Sequence, residues 1–144
     1  MSDHFKVIKV PANDDTYGPW TDLHEAAFPD CEPWWDAKGD YWFVRDDQDN
    51  TVAFAGLLCS KTEGGGFLAR SGVLRPWRGQ GLQRRLIKAR EAHARRRGMH
   101  FLVSHTVDNP VSANNLIECG FRIYKPIAPW DEGDGVVFWR KELN

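Results

Sequence analysis

Apolar and polar positions follow two rhythms along the chain. "FKVIKV" (Phe5 to Val10) reads as a first strand. "PWTDLHEAAF" then places Trp20, Leu23, Ala27 and Phe28 at helical spacing, with Pro19 near the start, and Pro29 and Pro33 stop that helix. "DCEPWWDAKGD" (Asp30 to Asp40) reads as an irregular aromatic loop. Three apolar runs follow: "YWFVR" (Tyr41 to Arg45), "TVAFAGLLC" (Thr51 to Cys59) and "FLARSGVL" (Phe67 to Leu74). The turns "DDQDN" and "KTEGGG" divide them, a pattern that predicts an antiparallel meander.

After Gly81 the period becomes helical. Leu82, Leu86, Ala89 and His93 share one face, Ile87 and Ala94 lie at its margin, and Arg84, Lys88, Glu91 and Arg95 point to solvent. "ARRR" makes a basic last turn before Gly98. "HFLVSHTV" (His100 to Val107) is then a strand reached by a helical crossover, which predicts that it lies parallel to the strand before the helix. In "NPVSANNLIECGF", Asn109 suits an N-cap, Pro110 a first helical residue and Gly120 a terminator. "FRIY" and "GVVFWRKEL" close the chain as a C-terminal hairpin around "KPIAPWDEGD". The expectation is one α/β (α+β) domain over residues 1–144, built on a mixed central sheet.

Composition narrows the function. A formal net charge of -1 argues against a nucleic-acid binder. No window approaches the length of a membrane span and "MSDHFKVIKV" lacks a signal-peptide core, so a cytoplasmic protein with no membrane partner is expected. Cys31, Cys59 and Cys119 are scattered, which predicts neither a disulfide framework nor a metal site. Cys59 and Cys119, in apolar surroundings, read as small core residues.

"VLRPWRGQGLQRRLI" (Val73 to Ile87) carries the strongest chemical signal. A strand that runs through a glycine-rich turn into a helix offers several unpaired N–H groups and a favourable dipole to an anion. Gly79 and Gly81 keep side chains away from those groups, or serve only the backbone angles of a tight turn. No Gly-Lys-Ser/Thr follows, so it is not a Walker loop, and the third glycine of a dinucleotide fingerprint is missing.

That segment resembles the acyl-CoA signature of the GNAT N-acetyltransferase superfamily, Arg/Gln-x-x-Gly-x-Gly/Ala, with Arg78 and Gly81 in its first two fixed positions. The stretch from Asn109 to Phe121 resembles the family's later motif, and the element order from about residue 5 onward is similar throughout. The resemblance implies a GNAT-like domain that moves an acetyl group from acetyl-CoA directly to a primary amine of a small molecule or peptide. It implies that the amides of Arg78, Gly79, Gln80, Gly81, Leu82 and Gln83 bind the coenzyme diphosphate. Gly72, Val73 and Leu74 would pair with the pantetheine amides, an amide near Val73 or Leu74 would face the oxyanion, and Asn109 would contact the pantetheine arm. The same fold without turnover would be an acyl-CoA-binding sensor, and a homodimer is compatible with either.

Two positions depart from the family pattern. Gln83 replaces a glycine or alanine and is expected to point aside, and Leu116 stands where many relatives have a proton-donating tyrosine. "FLARSGV" also lacks the glutamate base of many relatives, which leaves His105 as the candidate base and Tyr124 and Ser112 as candidate acids. Trp34, Trp35, Asp36 and Asp40, with Trp130, Asp131, Glu132 and Asp134, either frame an amine pocket or anchor loops on the core. Arg84 and Arg85 read as solvated arginines or as coenzyme-phosphate contacts, and the "ARRRG" cluster as a basic helix end or as a ligand or RNA patch.

Overall fold

The computed structural model describes residues 4–33 and 35–143. The elements run β1 (Lys6–Val10), α1 (Asp14–Ala27), β2 (Asp40–Arg45), β3 (Thr51–Cys59), β4 (Gly65–Val73), a 3-10 turn (Arg75–Trp77), α2 (Leu82–Arg96), β5 (Phe101–Val107), α3 (Pro110–Glu118), β6 (Arg122–Ile123) and β7 (Val136–Glu142). All seven strands form one sheet in the order β1-β2-β3-β4-β5-β7-β6. The N-terminal four make the expected meander, β5 runs parallel to β4, and β6 and β7 form the closing hairpin.

Side-chain alternation along the strands splits the core in two. Tyr41, Phe43 and Phe54 face α1 and pack with Trp20 and Leu23. Trp42, Val44, Ala53 and Leu57 face the other way, against Leu82, Leu86 and Ile87 of α2. The two helices therefore cover opposite faces of the sheet.

Two element boundaries and one side chain differ from the sequence expectation. α1 begins at Asp14 because the Asn13 side chain accepts the Thr16 N–H at 3.2 Å, with Asp14 and Asp15 favouring the first turn. Pro19 sits inside the helix, where it deprives one carbonyl of its donor. β4 begins at Gly65 rather than Phe67: a Cβ there would lie 2.1 Å from the Phe101 ring, so glycine is what lets β5 pair at this point.

The third difference is Arg90, which lies on the buried stripe of α2 at 2% exposure. Its Nε donates to the Leu86 carbonyl at 3.1 Å, and its Nη1 donates to the carbonyls of Gly56 at 3.1 Å and Ala69 at 3.3 Å. At this level the β3–β4 register slips, from Ala55 opposite Ser71 to Leu57 opposite Leu68, leaving an extra residue on β4. Arg90 satisfies the carbonyls around that bulge from the neighbouring helix. Burial pushes its pKa down to about 9, so it remains a cation at neutral pH.

Candidate functional site

β4 and β5 are paired only at Gly65–Phe101, Gly66–Leu102 and Phe67–Val103. Past that point each strand stays paired on its outer side alone, β4 with β3 as far as Val73 and β5 with β7 as far as Val107. The diverging strands open a cleft of about 480 Å³, closed by α2 and α3. His105, Asn109 and Ser112 line it, as do Gln83, Arg90, Leu116 and Asp131.

The turn ahead of α2 stands at one end of this cleft. Gly79 and Gly81 have φ of +83° and +77°, left-handed values that favour glycine, and a Cβ at either would meet nothing within 4 Å. The first intrahelical bond is from the Arg85 N–H to the Gly81 carbonyl. Among the described residues, the N–H groups of Gly79, Gln80, Gly81, Leu82, Gln83 and Arg84 have no acceptor. Arg78 differs from its neighbours: its N–H donates to the Arg75 carbonyl at 3.2 Å and its Nε to the Val73 carbonyl at 2.9 Å. The N–H closes the 3-10 turn and the Nε ties it to the end of β4, so the Arg78 amide drops out of the cradle.

Of Gly72, Val73 and Leu74, Val73 alone stays on the open edge of β4. The Leu74 N–H donates to the Val52 carbonyl at 2.9 Å, which takes it away from the cleft. Gly72 packs under α1, where a Cβ would lie 2.9 Å from the Phe54 ring and 3.0 Å from Ala27. Antiparallel alternation turns the main-chain groups of Val73 outward and adds those of Ser71. Gln83 does not point aside: it lines the cleft and its Oε1 accepts the Ser71 hydroxyl at 3.0 Å.

His105 is half-buried on the wall of the cleft, stacked on Phe67 at 5.9 Å. The Trp130 indole Nε1–H donates to its Nδ1 at 2.9 Å, so in the neutral ring Nε2 carries the proton, 3.6 Å from Asp131 Oδ2. Desolvation lowers its pKa, against the opposing pull of Asp131 and with a small push from Arg70, which keeps it neutral at pH 7. Ser112 lies in the first turn of α3 behind Asn109, whose side chain accepts the Ser112 N–H at 3.1 Å. Its hydroxyl bonds to none of the described residues.

Other sequence candidates lie elsewhere. Tyr124 lines a second cavity with Trp130 and not the cleft, and burial raises its pKa. Trp35 stacks on Tyr41 at 4.0 Å and meets Trp20 edge-on, so it anchors its loop to the α1 core. Trp34 lies outside the described residues. Asp40 is tied to Lys9, His93 and Arg97. Arg84 pairs with Glu118 and donates to Asn115, and Arg85 donates to the Phe5 carbonyl. Cys59 is exposed, while Cys119 is buried. Arg90 escaped the sequence reading, although its spacing four residues after Leu86 was a usable signal.

A profile of the acetyltransferase (GNAT) family matches residues 11–121. The chain belongs to that family. This GNAT chain is thereby an acyltransferase by family, and its fold agrees. A provisionally assigned N-acetyltransferase of Lactobacillus plantarum is 22% identical with a TM-score of 0.77, covering 99% of this chain and 100% of that one. A Bacillus subtilis acetyltransferase solved with CoA is 15% identical with a TM-score of 0.75, covering 97% and 99%. The spermidine/spermine N-acetyltransferase SpeG of Vibrio cholerae is 14% identical with a TM-score of 0.71, covering 97% and 94%. No curated protein matches the sequence. No helix among the described residues is long and apolar enough to cross a membrane.

Proposed function

We propose that the protein transfers an acetyl group from acetyl-CoA directly to a primary amine of a small molecule or peptide, with no metal, in the cytoplasm. The observation that carries this reading is the splayed β4–β5 pair, with six unpaired amides in sequence at its end. A diphosphate suits that row of donors, and an extended amide arm suits the outward main-chain groups of Ser71.

Acetyl-CoA supplies an activated thioester. The chain supplies position and charge. The Gly79–Arg84 amides hold the phosphates, Asn109 and Gln83 border the arm, and the Val73 N–H is the oxyanion donor. His105 takes the amine proton at Nδ1 once Trp130 withdraws its N–H, and Asp131 beside Nε2 stabilises the resulting imidazolium. The Ser112 hydroxyl donates a hydrogen bond to the departing sulfur, which leaves as the thiolate and takes its proton from solvent, while the imidazolium of His105 gives up the amine proton to solvent. Arg90 makes no hydrogen bond through Nη2 to any of the described residues and lines the cleft, where its cation lowers the cost of thiolate charge.

Calorimetry tests the cradle. Gly81→Glu should weaken CoA about 100-fold or more, since it forces a residue with a Cβ into a left-handed turn and adds a like charge. Near-normal affinity would remove the diphosphate from this turn. The second reading, a coenzyme-binding sensor, is favoured by the engaged Nδ1 of His105 and by the buried Leu116 at the tyrosine position. Thiol release over a panel of amines separates the two, because a sensor binds coenzyme and releases no thiol.

A further inference from the structure

A second cavity, of about 1000 Å³, opens on the α1 face of the sheet where that helix does not reach. The β3–β4 turn borders it on one side and the segment after β6 on the other. Its walls are apolar and aromatic, with Phe101, Val103, Ile127 and Tyr124 prominent. Phe67 belongs to both cavities, and Trp130 lines this one while donating to His105 of the other. One aromatic partition thus separates the second cavity from the candidate base.

The charge on this cavity has one sign. Lys61, Lys125 and Arg140 line it, with no aspartate or glutamate among the described lining residues. Arg140 is spoken for: its Nε donates to Glu142 Oε1 at 2.9 Å, and its guanidinium lies 3.9 Å from the centre of the Phe101 ring. Lys61 and Lys125 have no ion-pair partner among the described residues, and both are exposed. A polycation would meet repulsion here, and a purely apolar amine would leave both ammonium groups unused.

We propose that the acceptor is an amine with an apolar or aromatic body and an anionic group, an amino-carboxylate being the simplest such molecule. The body fills the second cavity, the anion faces Lys61 and Lys125, and the amine is directed at the His105–Trp130 partition. This specificity rests on the acyl-transfer reading above, whereas the binding it requires does not.

Phenylalanine, 2-phenylethylamine and spermidine serve as probes, each tested on the CoA-loaded protein. Phenylalanine should shift the Trp130 indole N–H resonance, identified by its loss in Trp130→Phe, at about tenfold or more lower concentration than 2-phenylethylamine. The thiol-release kcat/KM should rank the same way, with spermidine last. Lys61→Glu with Lys125→Glu should collapse the preference for phenylalanine and leave CoA affinity in calorimetry unchanged. A preference for spermidine or 2-phenylethylamine, or a ranking that survives the charge reversal, overturns the proposal. Phenylalanine binding without thiol release would support the cavity assignment and count against acyl transfer. Thiol release with no Trp130 shift from phenylalanine would do the reverse.

Discussion

At the scale of single residues, chemistry and burial decide what each candidate can do. His105 was legible as a strand-end histidine, but its state follows from Trp130 and Asp131, twenty-five and twenty-six residues away and invisible to local spacing. Its lowered pKa places the acid limb of kcat/KM below pH 6.5. His105→Ala should slow turnover more at neutral than at high pH, where free amine forms unaided; an unchanged pH–rate profile would remove it from the mechanism. Trp35 and Trp130 looked alike in sequence, as tryptophans in polar loops, and only contacts separate an anchor from a cavity wall. Arg90 was hidden because a charge on a helix is ordinarily assigned to solvent. Arg90→Met should cost about 3 kcal/mol in urea denaturation, since two carbonyls at the bulge lose a buried donor while the methionine recovers part of the packing.

At the scale of elements, periodicity named the strands and helices correctly and missed where some begin. The acidic pair after Asn13 starts α1 one turn and a half earlier than its apolar residues suggest, because a cap and a dipole need no hydrophobic spacing. Gly65 and Gly66 read as turn residues yet form the first parallel rungs, since Phe101 and Leu102 occupy the space of their missing side chains. Gly65→Val should destabilise the fold by about 2–3 kcal/mol through overpacking, read as a lower urea midpoint. α1 also carries an acid-sensitive feature. His24 is buried with neither ring nitrogen hydrogen-bonded among the described residues, and desolvation, aided by Arg70, lowers its pKa. A folded-state pKa below the unfolded 6.5 contributes stability that is present above pH 6.5 and lost as pH falls through the folded value. The urea midpoint should therefore drop between pH 7 and 5, and His24→Leu should flatten that slope.

At the scale of the whole molecule, one event organises the site: two parallel strands pair for three residues and then part. Coenzyme bound in that gap should protect the amides of Ser71, Val73 and Gly79–Arg84 from hydrogen exchange, with little change in β1 and β2; protection spread evenly over the sheet would place the ligand elsewhere. The amino-acid order by itself determined the elements, their succession, the parallel crossover and the glycine turn, because each is written in residues within one or two turns of chain. Tertiary structure alone decided where β4 leaves β5, which main-chain groups face the gap, which tryptophan meets His105 and how Arg90 is satisfied. Local spacing records which face of an element avoids water. Its partner across the sheet is set by register, and here a single extra residue in β4 changes which groups turn toward the cleft.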